Sequence, residues 1–158
     1  MEKKFKLVMI DDEADLCTLV KKNLEDTGEF DVVTSSNPLD AEKVIRREKP
    51  DLVMLDMVMP QRRGDDVLVG IKKDAALKNI PIILVSGRGE MVFNKEKNAF
   101  KWMPNNPLAR EQGEMPNVRG TDGLRKAYDV EDYVSKPFET AILAKIIKEI
   151  LSRRRKAV

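Results

Sequence analysis

Apolar residues come in short unbroken runs along this chain, at Phe5–Ile10, Phe30–Thr34, Leu52–Leu55 and Ile80–Val85. A weaker fifth run lies at Tyr133–Val134. The runs are rich in Val, Ile and Leu and do not alternate with polar residues, which is the pattern of strands buried on both faces of a parallel sheet. Between them the period changes to three and four. Leu16, Leu19, Val20 and Leu24 form one stripe, with Gly28 as a stop signal. Pro38 is placed to begin a second helix with Ala41, Val44 and Ile45 on one face, and Pro50 to end it. Val67, Leu68, Ile71 and Leu77 make a third stripe after Gly64, and Ile142, Ile146, Ile147, Ile150 and Leu151 a last one. Strand and helix in alternation predict right-handed crossovers and one parallel sheet covered by helices on both faces.

In such a sheet, ligands bind beyond the carboxyl ends of the strands. The first run ends in Asp11 and Asp12, the third in Asp56, the fourth in Ser86, and the fifth is followed by Lys136 and Pro137. Each has a plain structural reading: Asp12 as a helix cap, Asp56 and Ser86 as turn residues, Lys136 as a surface lysine. Their joint placement on one edge points instead to a site. Two unit charges ~4 Å apart interact by about 4 kcal/mol at an effective dielectric of 20, so three converging carboxylates call for a cation. Oxygen donors alone suit a hard ion, most simply Mg²⁺. Asp56 is then a nucleophile toward a phosphoryl group, with Lys136 neutralising charge and Ser86 donating a hydrogen bond.

Composition narrows the field. A chain of 158 residues suits one domain, and a net charge of +2 selects no partner. The four positive charges of Arg153–Lys156 could meet nucleic acid or a membrane surface, but more commonly such a run is a solvated helix end that suits the helix dipole. Histidine is absent, which excludes His-based triads and His metal sites. With Cys17 as the single cysteine there is no internal disulfide, as in a reducing compartment. No signal peptide is visible at the start, and the apolar runs fall far short of the ~20 residues needed to span a bilayer. A cytoplasmic setting is expected, with no membrane and no direct nucleic-acid contact.

The motifs together resemble the receiver domains of two-component response regulators. They are the acidic pair Asp11–Asp12, "DMVMPQRRG" around Asp56 with Met59, Pro60 and Gly64, Ser86–Gly87, and "YVSKPF" from Tyr133 to Phe138. The resemblance implies a flavodoxin-like, doubly wound, five-stranded parallel sheet in the order 2-1-3-4-5. It implies that Asp56 accepts phosphate from a histidine kinase or phosphotransfer protein. Asp12, Asp56 and the backbone carbonyl of Val58 would bind Mg²⁺ directly, Asp11 mainly through water. Ser86 and Tyr133 would form the conformational switch, and the Lys136–Pro137 bond would be cis. The output would be a downstream protein or an output domain, with a homodimer left open. The protein would be a phosphoacceptor switch that catalyses the phosphotransfer onto itself and its own dephosphorylation, not a turnover enzyme.

One departure from the family pattern stands out. Fifty positions separate Ser86 from Lys136, roughly twice the usual spacing and well beyond ordinary loop lengths. The stretch "TDGLRKAYDVEDY" still reads as a fourth helix leading into the last strand, so an insertion is expected at about 90–119, between strand 4 and helix 4, inside a single receiver domain spanning 1–158. Its Phe93, Phe100, Trp102, Met103 and Met115 make it too apolar for a disordered linker. It is either an ordered decoration or an element that binds partners or gates the site. No second domain is expected after the last helix, though the chain could be excised from a longer regulator or hybrid kinase. Two rival functions remain. One is a receiver-like interaction module that is never phosphorylated. The other is a phosphatase of the haloacid-dehalogenase type, which needs a second Asp two residues after the nucleophile, where this chain has Val58.

Overall fold

A computed structural model describes residues 2–86, 89–94, 99–104 and 129–157, with residues 86, 89–94 and 99–104 as backbone only. The chain runs β1 (Phe5–Ile10), α1 (Ala14–Glu25), β2 (Phe30–Ser35), α2 (Ala41–Glu48), β3 (Leu52–Leu55), α3 (Gly64–Lys73), β4 (Ile82–Ser86), β5 (Gly89–Asn94), β6 (Ala99–Pro104), β7 (Asp132–Ser135) and α4 (Thr140–Lys156). Five strands form one parallel sheet in the order β2-β1-β3-β4-β7. Counting only the strands of that sheet, this is the expected order 2-1-3-4-5.

The unbroken apolar runs are explained by burial on both faces. Along β1, Leu7 and Met9 enter the core beneath α1 and α4, whereas Val8 and Ile10 enter the core beneath α2 and α3. Leu52 and Met54 of β3 alternate with Val53 and Leu55 in the same way, as do Ile83 and Val85 of β4 with Ile82 and Leu84. A period of two with both sides apolar is what a central parallel strand requires.

Several boundaries differ from the sequence-based expectation. Leu19 and Ile142 are exposed, at 54% and 50%, so the α1 and α4 stripes are narrower than the spacing suggested. Pro38 opens a 3-10 turn, Pro38–Asp40, and the α-helix starts only at Ala41. Leu77 is buried but lies in the turn beyond α3. Strand β4 begins at Ile82, because Pro81 has no N–H to give the ladder, although its carbonyl accepts from Val53 N at 2.9 Å. The basic run at the end of α4 is largely engaged: Arg153 pairs with Glu149, Arg154 with Glu131 and the Asn79 carbonyl, and Arg155 lies 4.3 Å over the Phe5 ring.

The expected insertion contains an antiparallel hairpin. Strand β5 pairs with β6 in a register that sets Met91 opposite Trp102 and Phe93 opposite Phe100. The hairpin is a separate two-stranded sheet. The remainder of the insertion and the expected fourth helix lie outside the described residues. Among the described residues, no helix is long and apolar enough to cross a membrane.

Candidate functional site

The site is built by continuing the ladder past the strand ends. Asp11 N donates to the Ser35 carbonyl at 3.1 Å, and Asp56 N donates to the Ile10 carbonyl at 2.9 Å. Ile10 is in register with Leu55, so Asp11 and Asp56 leave neighbouring strands side by side. Both are buried. Asp12 follows at the mouth of α1, half-buried. Carboxylate oxygens of Asp11, Asp12 and Asp56 lie within 4.8 Å of one another, all hard donors with no thiolate or imidazole among them, which fits a small divalent cation and not a soft one. The acidic cluster anticipated from the strand ends is therefore assembled as expected.

The cap position of α1 is held not by Asp12 but by Glu13, whose own side chain makes no capping bond. Asp11 takes the nearby donor instead: its Oδ1 accepts from Glu13 N at 2.9 Å. Its Oδ2 accepts from Lys136 Nζ at 2.6 Å. Both Asp11 oxygens are thus engaged by the protein, which suits a carboxylate that reaches a cation through water. Burial pushes the Asp11 carboxyl above the usual carboxylate range, against the opposing pull of Lys136 and the Glu13 N–H.

Lys136 is the convergence point. It follows β7, whose Ser135 is in register with Ser86 of β4. The peptide bond from Lys136 to Pro137 is cis. The ammonium lies 3.7 Å from Asp56 Oδ2 and 3.3 Å from Glu13 Oε1, besides its short bond to Asp11. Burial pulls the lysine down, but the Asp11 hydrogen bond and the charges of Asp56, Asp11 and Glu13 outweigh it, so Lys136 is held above its ordinary value. Glu13 was not singled out by sequence reasoning. Its only signal is adjacency to the acidic pair, and an acidic residue at the start of a helix is too common to be read alone.

The loop from Met57 to Arg63 shapes the other wall. Met57 and Met59 are buried in the core beneath α2 and α3, which leaves Val58 half-buried between them. Val58 N donates to Asp56 Oδ1 at 3.3 Å. Gly64 N closes the loop on the Met57 carbonyl at 2.9 Å. A Cβ on Gly64 would stand 2.1 Å from the Asp56 carbonyl oxygen and 2.6 Å from Met57 Cα, so only glycine lets α3 begin this close to the strand end. Tyr133 is buried on the α2/α3 side of the sheet. The backbone of Ser86 closes β4 on the same edge as Asp56, as expected, and the rest of that residue lies outside the description.

Cys17 sits beneath the carboxylates. Its Sγ donates to the Asp11 carbonyl at 3.4 Å. Burial, together with the charges of Asp11, Asp12 and Asp56, pushes its thiol up to about 12, so it stays protonated and inert.

Comparison with known proteins fits this geometry. The profile of the response regulator receiver domain matches residues 7–100. The chain is 28% identical over 148 residues to the alkaline phosphatase synthesis transcriptional regulatory protein PhoP of Bacillus subtilis, covering 94% of this chain and 49% of that one. It is 28% identical over 147 residues to the phosphate regulon transcriptional regulatory protein PhoB of Pseudomonas aeruginosa, covering 93% of this chain and 52% of that one. The chain thus spans about half the length of these curated relatives. Among solved structures, a CheY-like response regulator receiver domain protein from Methanospirillum hungatei superposes with a TM-score of 0.70 at 18% identity, covering 99% and 100% of the two chains. The receiver domain of a DNA-binding response regulator from Colwellia psychrerythraea gives 0.65 at 23% identity, covering 94% and 99%. These two likenesses establish the fold. With the match over residues 7–100 and the acidic cluster at the strand ends, the chain belongs to the response regulator receiver domain family of two-component signalling.

Proposed function

We propose that this receiver is a phosphorylation switch in which Asp56 accepts a phosphoryl group from a histidine kinase or phosphotransfer protein. The observation that carries the reading is the meeting of Asp11, Asp12 and Asp56 with one ammonium, Lys136, at the carboxyl edge of the sheet. Asp12, Asp56 and the Val58 carbonyl would hold Mg²⁺, with Asp11 joined through water; when bound, the ion neutralises charge on the phosphoryl oxygens. In the transfer, an Asp56 carboxylate oxygen supplies the electron pair for the new P–O bond, and the donor leaves with the electrons of its own bond to phosphorus. Lys136 moves from Asp11 toward the transferred group, and Ser86 donates a hydrogen bond to it. Tyr133 repacks as Ser86 shifts, biasing a two-state element. Phosphorylation adds roughly −1.5 to −2 charges at this edge, enough to drive such a bias.

The downstream target is a protein or an output domain, and the setting is cytoplasmic. One phosphoryl group per cycle, not multiple turnover of phosphoesters, is the expected activity. A phosphatase of the haloacid-dehalogenase type is disfavoured by Val58, an apolar residue where an acid/base Asp is needed. A bare interaction module would have no use for three converging carboxylates, two of them buried, whose repulsion is costly without a ligand.

The test is mass spectrometry after incubation with Mg²⁺ and acetyl phosphate or phosphoramidate. One added phosphoryl group on Asp56, lost in Asp56→Asn, supports the switch. Rapid release of inorganic phosphate over many turnovers points to the phosphatase, and no adduct at all to the bare module.

A further inference from the structure

We propose that the ion pair between Glu42 of α2 and Arg62 of the β3–α3 loop, seated against Gly70 of α3, is a positioning device that holds the Val58 carbonyl in line for the cation. This rests on the metal site proposed above. Arg62 is bidentate: Nη1 donates to Glu42 Oε2 at 2.6 Å and Nη2 to Glu42 Oε1. The same guanidinium donates to the Pro38 carbonyl at 3.4 Å and the Asp66 carbonyl at 3.3 Å. One side chain of the loop therefore grips the turn before α2, α2 itself and the first turn of α3. The two side chains are 23% and 21% exposed, so the pair is shielded from most solvent screening, and a planar fork adds geometric specificity to the charge.

Two further observations bear on the role. A Cβ on Gly70 would fall 2.1 Å from Glu42 Oε1 and 3.0 Å from Arg62 Nη2, so the pair lies flush on the helix and an added methyl would push these side-chain ends out of their present seat. Next to Arg62, Gln61 adopts φ 69°, a left-handed conformation that costs a non-glycine residue about 1 kcal/mol and persists only where surroundings over-determine it. Arg62 N closes a tight turn on the Pro60 carbonyl at 2.8 Å. The loop that carries Val58 is thus a strained segment, closed at Gly64 and pinned from outside by one bidentate pair. Burial would raise the Glu42 carboxyl, but the Arg62 hydrogen bond and charge hold it below the usual range, so the pair is ionised at neutral pH.

Direct Mn²⁺ binding to the whole chain, read by electron paramagnetic resonance without any phosphodonor, tests the proposal. Glu42→Gln and Gly70→Ala should each weaken Mn²⁺ binding about three- to tenfold, at or below the low end of the ~10–100-fold seen for groups that touch a metal ligand. Glu42→Gln combined with Arg62→Gln should be no worse than either alone, because they remove one interaction. Glu48→Gln, which removes the Lys6–Glu48 pair of 2.7 Å elsewhere on α2, should leave binding unchanged. Equal binding by parent and Glu42→Gln overturns the positioning role alone. So does an equal loss in Glu48→Gln, which marks general loosening. Absence of binding by the parent overturns the metal site and this inference together. Should Glu42→Gln fail to fold, Arg62→Lys keeps the charge without the fork and must show the same loss.

Discussion

Lys136 Nζ lies 2.6 Å from Asp11 Oδ2, across 125 positions of chain, and this contact ties the last strand of the sheet to the first. Asp11 is fully buried and the lysine side chain is 11% exposed, so neither charge is solvated well enough to stand alone. The pair anticipates the chemistry: the ammonium waits between two carboxylates and needs only a short swing to meet a phosphoryl group on Asp56.

Lys136→Met should destabilise the metal-free protein by about 3 kcal/mol, since breaking a buried pair leaves the other charge uncompensated. Part of the loss should return on adding Mg²⁺, which replaces the missing positive charge. Urea unfolding with and without Mg²⁺ measures both, and equal stability to the parent without metal would remove the pair from the stability of the site.

Asp12→Asn should behave oppositely. It relieves repulsion within a triad whose oxygens lie within 4.8 Å, and should stabilise the metal-free protein by about 1 kcal/mol. It should also weaken Mg²⁺ more than Asp11→Asn does, because Asp11 has both oxygens occupied by Glu13 N and Lys136. Calorimetric titration of the two variants decides the order, and equal affinities contradict the assigned roles.

Gly64→Ala should cost about 2 kcal/mol or more, as its Cβ would stand 2.1 Å from the Asp56 carbonyl oxygen, a backbone atom that cannot swing aside. The shift displaces Asp56 itself, so Mg²⁺ affinity should fall together with the melting midpoint. A variant as stable as its parent would show that the loop yields freely there.

The Glu42 carboxyl lies below its ordinary 4.5 in the folded protein, so its stabilising effect is present above pH 4.5 and is lost as pH falls through the lowered value. The stability gap between parent and Glu42→Gln should accordingly be widest at neutral pH and close on acidification. Urea midpoints at pH 7, 5, 4 and 3 measure it, and a gap that stays constant would mean the pair is not ionised.

Replacing residues 91–118 by a short Gly-Ser link should leave the five-stranded sheet and Asp56 phosphorylation intact, because β5 pairs with β6 and the main sheet is complete without them. Oligomeric state, partner choice or the lifetime of the aspartyl phosphate should change. Loss of cooperative unfolding would show that the segment is part of the core.

The doubly wound sheet was legible in the chain because burial on both faces leaves an unmistakable pattern, runs such as Leu52–Leu55 with no polar residue at all. Strand ends are equally readable: Asp11, Asp56 and Ser86 each stand where an apolar run stops, and a parallel sheet puts all such points on one edge. Local patterns are dictated by residue type and spacing, so one dimension suffices for them. The exposure of Leu19 was not readable, since two adjacent apolar positions on a helix compete for one buried stripe and packing against the sheet selects Val20. Neither was the Glu42–Arg62 pair, because charges twenty positions apart carry no mark of each other until α2 and the loop are folded together. Asp11 and Asp12 are neighbours of the same type, yet only the successive registers of β1 on β3, β3 on β4 and β4 on β7 bring Lys136 to Asp11 and leave Asp12 at the mouth of the site. Residues far apart in the chain share a site only after the backbone ladder has set their distances, and that information is stored in pairing, not in composition.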